Sequence, residues 1–260
     1  MINVLRYSFS DLMRSRWSYV YFLFYLILGF VLLFLNNNLS KAIITLMNVI
    51  IVLTPLIGTV FGVMYFYNSR EFSELLLALP IKRKTIFIGQ FLGLSISLSL
   101  SLLIGLGIPF LSYGIFESDV VFDFVLLLFV GIVLTFIFSG LSFSIALYHD
   151  NKIKGFSYSI LTWLLLALVY DGFFLVLLIV FREYPLDYFS LIGTVFNPID
   201  LSRILILLKL DISALLGFSG ALFKNFFGAY YGMLTAYFLL FTWVSIPFWM
   251  ISFVANRKDF

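Results

Sequence analysis

The residues of this chain that could carry out chemistry are few and lie far apart. Among 260 residues there is no cysteine and a single histidine, His149. Transition-metal sites need clusters of His, Cys, Met or carboxylate ligands. His149 lies at a polar turn beside Asp150, where it is either a solvated residue or a contact to a partner chain. No Ser–His–Asp arrangement and no carboxylate pair within an apolar run is visible. We therefore expect no catalytic residue and no metal site, so this chain is not expected to be an enzyme.

One acidic residue, Asp171, lies well inside an apolar run. An ionisable group in the hydrocarbon region of a membrane is costly and usually has a function. Alternatively, Tyr170-Asp171-Gly172 breaks the run and exposes the carboxylate near the membrane surface. The sequence leaves both interpretations open.

The composition indicates a membrane protein. Hydrophobic residues make up 63% of the chain and charged residues only 11%, with a mean hydropathy of +1.12. Soluble domains carry about 25% charged residues. The net charge of +3 comes without a basic face or stripe, so we expect contact with lipids and no nucleic-acid partner.

Six apolar runs are long enough to cross a bilayer as helices. The sequence predicts an all-α membrane domain over residues 1–260, preceded by no cleavable signal peptide. An amphipathic pattern over residues 1–16 predicts an interfacial helix before the first span. In the third span a small residue recurs at every fourth position, which favours close helix packing. A shorter row of the same kind, Gly228, Gly232 and Ala236, opens the sixth span. The predicted spans are 17–35, 42–67, 86–113, 124–148, 155–181 and 226–254.

The basic residues predict the orientation. Eleven of the sixteen Lys and Arg residues lie on the side of the two termini. The positive-inside rule therefore places both termini and residues 68–85 in the cytoplasm. Residues 182–225, between the fifth and sixth spans, would then face the outside.

The stretch 68–85 reads NSREFSELLLALPIKRKT and combines charge with a short leucine run. Asn68 with Glu71 predicts a capped helix start, and negative charge at Glu71 and Glu74 suits the first turns. Pro80 should end the helix at or near Leu79. Such a helix either connects two spans along the membrane surface or docks in a groove of a cytoplasmic protein.

Residues 70–83, REFSELLLALPIKR, resemble the loop between the second and third spans of ABC-2 type permeases, the membrane subunits of ATP-binding-cassette transporters. That family often has Gly-Thr where this chain has Phe72-Ser73. The six-span pattern with a long outer segment extends the resemblance to essentially the whole chain. It implies that this segment is a coupling helix that docks on an ATPase, through Arg70, Glu71, Glu74, Leu75, Leu76, Leu77, Leu79 and Pro80.

The resemblance also implies a homodimer in the inner membrane with two copies of a cytoplasmic ABC ATPase. The chain cannot bind ATP by a Walker A loop, because that loop needs Gly-Lys-Ser/Thr and no Gly-Lys pair occurs. ATP and Mg would therefore be bound by the partner ATPase, with no cofactor in this chain.

A second capped helix is predicted in the outer segment. Asn197 suits a cap and Pro198 the first helical position, while Asp200 and Arg203 are spaced to pair. The helix is too short to span a bilayer, so we expect it to lie in the membrane interface or to dip into the membrane. Residues 197–221 resemble the outer loop of the permease subunits that serve nitrous oxide reductase maturation. That resemblance implies a role in copper-site assembly and contact with a periplasmic β-helical protein, through Asn197, Pro198, Asp200, Arg203, Lys209 and Asp211.

Other functions remain open. A general ABC-2 exporter of lipid, drug or polysaccharide would need a path lined by the spans and no dedicated periplasmic protein. A membrane scaffold could instead pass ATP-driven work to an outer partner without transport. The sequence does not indicate which species, if any, is transported.

Overall fold

The structure, a computed structural model, describes residues 2–36, 38–181, 187–210 and 217–257, and every regular element in these ranges is helical. Six segments within these ranges are long and apolar enough to cross a membrane, with mean hydropathy between 1.9 and 2.8. The predicted helical, multi-pass architecture is confirmed at this level. The segments are Arg16–Asn36, Leu39–Asn68, Arg83–Ser112, Val121–Tyr148, Lys152–Leu177 and Tyr230–Arg257.

The chain divides into two compact units, Met1–Ile160 with Val244–Phe260, and Leu161–Trp243. The helices that lie wholly in the first unit are α1 (Ile2–Arg14), α2 (Arg16–Asn36), α3 (Leu39–Asn68), α4 (Arg70–Leu77), α5 (Arg83–Ser112) and α6 (Val121–Tyr148). A short 3₁₀ turn, Ile115–Glu117, lies between α5 and α6.

Small residues allow α5 to pack closely on its neighbours. A Cβ placed on Gly93 would lie 2.6 Å from the Ser8 Cβ of α1, and one on Gly105 would lie 2.9 Å from the Tyr25 Cβ of α2. The predicted row of small residues therefore meets α1 and α2. Helix α1 buries Val4, Ser8 and Leu12, so it packs within the first unit in addition to being amphipathic.

Helices α3 and α6 also approach closely. A Cβ on Gly62 of α3 would lie 2.6 Å from the Ser139 main-chain oxygen of α6. The Ser139 hydroxyl lies 2.9 Å from that of Ser95, which connects α6 to α5. This packing matters for the candidate site because α3 leads directly into α4, and α6 leads directly into the next turn of the same unit.

The fifth predicted span is helical but not uniform. Helix α7 (Lys152–Leu164) is followed by a π-helical turn, Leu165–Val169, and then by α8 (Tyr170–Val180). Of the two interpretations left open for Asp171, the one in which Tyr170-Asp171-Gly172 breaks the span does not hold, because these residues are helical. The irregularity lies one turn earlier, where the main chain widens without leaving the helix.

In the second unit, α9 (Asp187–Val195) and α10 (Pro198–Lys209) precede α11 (Gly217–Arg257), which begins in this unit. Gly228 interrupts α11 with φ 71°, a left-handed conformation that favours glycine. The sixth spanning segment accordingly begins at Tyr230 rather than at residue 226. A Cβ on Gly232 would lie 3.2 Å from Leu208 of α10, so this glycine does allow close packing as predicted.

Candidate functional site

Helix α4 is a short amphipathic helix between two spanning helices. It begins at Arg70, and only Ser69 separates it from the end of α3 at Asn68. The predicted cap is wrong: Ser69 occupies the capping position and makes no side-chain cap bond, because α3 continues through Asn68. The helix ends at Leu77, two residues before the predicted end at Leu79.

The surface of α4 is apolar at its end and charged at its start. Leu75 is 71% exposed and Leu79, just after the helix, is 51% exposed. Leu76 and Leu77 are partly buried, and Pro80 is exposed. No described residue of the chain covers these leucines, as both a docking helix and a helix lying along the membrane surface require.

The charged side chains of α4 are accessible. Glu71 is exposed, and the Arg70 Nε lies 3.0 Å from the Glu74 Oε1 in a largely exposed pair. Exposed pairs of this kind stabilise a helix by only about 0.3–0.5 kcal/mol. Arg70 and Glu74 can therefore separate and pair with charged groups of a partner protein at little cost in free energy.

Two contacts on α4 itself fix the helix to the first unit. The ring of Phe72 stacks on Tyr7 of α1 with centroids 4.3 Å apart. The hydroxyl of Ser73, which is buried, accepts a hydrogen bond of 2.8 Å from Gln90 of α5. Phe72 and Ser73 are the two positions at which the sequence differs from the Gly-Thr that is common in the permeases it resembles, and both side chains contact neighbouring helices.

The turn after α6 lies beside α4. Tyr67 donates to the main-chain oxygens of His149 and Asn151, at 2.8 and 3.2 Å. A small cavity between α4 and the turn is lined by Arg70, Glu74 and His149, among others. The His149 Nδ1 lies 3.0 Å from the Ile145 oxygen. This histidine is therefore partly engaged within the fold and is not a freely solvated turn residue.

A second polar site lies within the second unit and joins α8 to α10. The Arg203 Nη1 is 3.2 Å from an oxygen of Asp171 and 3.2 Å from an oxygen of Asp200. The pairing of Asp200 with Arg203 was predicted from spacing, and Asp171 joins them across 32 residues of sequence. Asp171 thus has a cation partner, which explains how a carboxylate is accommodated at this position.

Asn197 lies at the centre of this cluster and is fully buried. Its Oδ1 accepts from the Ile199 amide at 3.0 Å, the predicted cap of α10. Its Nδ2 donates to Asp200 at 3.1 Å and to the Leu166 oxygen at 2.9 Å. Leu166 belongs to the π-helical turn, so the amide satisfies a carbonyl oxygen at the irregularity in the span.

The cluster holds two carboxylates and one guanidinium. Burial and the neighbouring Asp171 carboxylate raise the pKa of Asp200 while Arg203 lowers it, and together these effects bring the pKa to about 7. The Asp200 carboxyl therefore changes its protonation near neutral pH, while the folded cluster favours the protonated form.

Burial changes the roles predicted for the outer segment. Nine of the twelve residues of α10 are buried, including Pro198, so α10 packs on most of its sides within the second unit. Asn197 and Pro198 are inaccessible to a partner in this conformation, and Asp200 and Arg203 contact Asp171. Lys209 is exposed, and Asp211 lies outside the described residues.

No protein-family model and no curated protein matches the chain. The interpretation of both sites therefore depends on their geometry and on the resemblance of the sequence. Among the described residues, no group of three or more His, Cys, Asp and Glu side chains is placed to hold a metal ion.

Sequence reasoning missed two residues, Gln90 and Tyr67, that connect α4 and the neighbouring turn to the spanning helices. Gln90 carried a usable signal, because it is the sole glutamine in the sequence and lies inside an apolar run. Tyr67 carried none, since tyrosine is common at the ends of spanning helices.

Replacing Asn197 with alanine is expected to lower the free energy of unfolding by about 2 kcal/mol, because a cap is lost and buried groups lose their partner. Asn151→Ala is the matched control. Asn151 also accepts from the amide two residues later, at 2.9 Å, but it is exposed. Thermal unfolding in detergent measures both variants, and equal losses would contradict the central role of Asn197.

Proposed function

We propose that this chain is the membrane subunit of an ATP-driven transporter of the ABC-2 type, and that α4 receives a cytoplasmic ABC ATPase. The observation that carries the proposal is the construction of α4. Its leucines Leu75 and Leu79 are exposed, while Phe72 and Ser73 fix it to α1 and α5. A surface that is open to a partner and attached to spanning helices is what transmission of force requires.

The orientation follows from the distribution of basic residues. Helix α4, the turn after α6 and α1 lie at one end of the first unit, since Tyr67 and Phe72 connect them. The positive-inside rule places that end in the cytoplasm of a cell with an inner membrane. The ATPase would bind ATP and Mg, and the resemblance adds a homodimer with two ATPase copies.

The narrower assignment, support of copper-site assembly in nitrous oxide reductase with a periplasmic β-helical partner, rests on the resemblance of residues 197–221 and stays a prediction. The buried positions of Asn197 and Pro198 explain part of that stretch by packing alone. Copper content of nitrous oxide reductase, measured in the source organism with and without this chain, tests the assignment.

Replacing Leu75 with glutamine is expected to reduce ATPase association at least about tenfold, because a central apolar contact typically contributes more than about 1.4 kcal/mol. The tagged chain is purified from membranes of its source, and an ABC ATPase is identified by mass spectrometry and by ATP hydrolysis. The affinity of that ATPase is then measured for each variant.

Leu35→Gln serves as the matched control, because Leu35 is 70% exposed at the end of α2 predicted to face outside. Its ATPase affinity should equal that of the unmodified chain. Absence of any ABC ATPase from the purified chain, or equal affinities for the Leu75 and Leu35 variants, would refute the docking role of α4.

A further inference from the structure

Gln90 is a buried amide in the second turn of α5, about 10 Å along the helix from its start at Arg83. The side chain is 0% exposed. Its Nε2 donates to the Ser73 hydroxyl, whereas its Oε1 has no hydrogen-bond partner among the residues that the structure describes. Burial of an amide with one unpaired acceptor in a spanning helix is unfavourable, so packing alone does not account for it.

The bond from Gln90 continues to the junction of α3 and α4. Ser73 accepts from Gln90 and donates to the Ser69 main-chain oxygen at 2.9 Å. Ser69 is the single residue between the two helices. Helix α4 could rotate about this residue without moving α5 if the bond to Gln90 were absent.

A second link joins α4 to the start of α7. The Tyr67 hydroxyl at the end of α3 contacts the His149 and Asn151 oxygens, and the Arg70 Nη1 donates to the Asp150 oxygen between them, at 3.4 Å. Gly155 in the first turn of α7 packs on the Tyr67 ring, where a Cβ would lie 2.8 Å from the Tyr67 Cζ. Three consecutive carbonyl groups are thereby held by the end of α3 and the start of α4.

We propose that Gln90 and Tyr67 are positioning residues that pass a displacement of α4 to α5 and α7 together. The inference rests on the proposed function, in which an ATPase moves α4. A displacement of α4 reaches α5 through the hydrogen bond between Ser73 and Gln90. It reaches α7 through the turn that Tyr67 and Arg70 hold. Directional hydrogen bonds at both places make α4, α5 and the start of α7 move as one body.

Spin labels can test the positions directly, because the chain has no cysteine and needs no prior substitution. Labels at Ala78→Cys and Ile153→Cys report the distance between the end of α4 and α7, and both sites are exposed. In lipid nanodiscs, the unmodified background should give one narrow distance distribution. Tyr67→Phe, which removes only the hydroxyl, should broaden it, and Tyr148→Phe at an exposed ring should not.

The coupling itself is tested with the ABC ATPase that co-purifies with the unmodified chain, in the presence of ATP and vanadate. Labels at Leu35→Cys and Tyr113→Cys report a nucleotide-driven change at the far ends of α2 and α5. Gln90→Leu and Ser73→Ala should each retain ATPase affinity within about twofold and lose most of that change, and the double variant should add little to either. Substitution of a residue with only a structural role would alter the ATPase affinity and the nucleotide-driven change in distance together.

Ser73→Thr retains the hydroxyl and should preserve the nucleotide-driven change. Unaltered distance distributions in the Tyr67→Phe variant, or an undiminished change in Gln90→Leu and Ser73→Ala with normal ATPase affinity, would overturn the inference while leaving the proposed function intact. Failure of the unmodified chain to bind any ABC ATPase would remove the proposed function and the inference with it.

Discussion

Gly62→Ala is expected to lower the free energy of unfolding by about 2 kcal/mol, although alanine is intrinsically the better helix former by about 1 kcal/mol. The added Cβ would lie 2.6 Å from the Ser139 oxygen of α6. Since that oxygen belongs to the main chain of a packed helix, the clash is relieved only by moving α3 and α6 apart. Thermal unfolding in detergent or nanodiscs measures the loss.

Gly107→Ala provides the matched control for this prediction. A Cβ on Gly107 of α5 meets nothing within 4 Å, so the same substitution should raise stability by about 1 kcal/mol through helix propensity. The two variants are therefore expected to shift the unfolding temperature in opposite directions. A shift of equal sign and size would show that α3 and α6 are not packed as described.

The Gly62→Ala substitution should also affect the position of α4, which carries the proposed docking surface. A single residue, Ser69, separates α3 from α4, and α6 ends directly before the turn that Tyr67 holds. A Gly62 variant that still folds should accordingly show a wider range of positions for α4 relative to that turn, measurable with the same spin labels.

Asp200→Asn is expected to remove a pH-dependent loss of stability from the folded chain. Burial, together with the neighbouring Asp171 carboxylate and against the effect of Arg203, raises the pKa of Asp200 from 3.8 to about 7. Between these values the folded chain binds more protons than the unfolded chain, so stability falls as the pH rises, by about 1.4 kcal/mol per pH unit. The destabilisation is absent below pH 3.8 and complete above about pH 7.

Unfolding temperatures of the unmodified chain and Asp200→Asn, measured from pH 4 to pH 8, check this expectation. The difference between the two profiles should favour the variant increasingly as the pH rises. The groups that face Asp200 are Asp171 and Tyr170 of α8, and Arg203 and Asn197 at α10. Asp119→Asn, at an exposed loop position, is the control, and parallel profiles for Asp200→Asn and the unmodified chain would contradict the prediction.

Local patterns in the sequence predicted local structure well. The six spanning segments follow from apolar length, and the cap of α10 by Asn197 with Pro198 in its first turn follows from residue preference. The pair Asp200–Arg203 was also visible, because residues three apart share a helix face. The start of α4 was misplaced by one residue because nothing local distinguishes Asn68 from Ser69 as the point where α3 ends.

Contacts between distant residues could not be predicted from these patterns. Asp171 and Arg203 are separated by 32 residues, and Gln90 and Ser73 by 17. Each pair depends on which helices become neighbours, which hydropathy does not specify. The π-helical turn before Asp171 was equally hidden, since its composition, LLALV, is that of an ordinary span.

Tyr67 and Arg70 hold the turn after α6 through its main-chain oxygens. These bonds by themselves require no particular side chain in the turn, because every residue supplies the same carbonyl group. Gly155 differs, because a Cβ at this position would lie 2.8 Å from the Tyr67 Cζ. A library randomised at position 155 should therefore recover glycine.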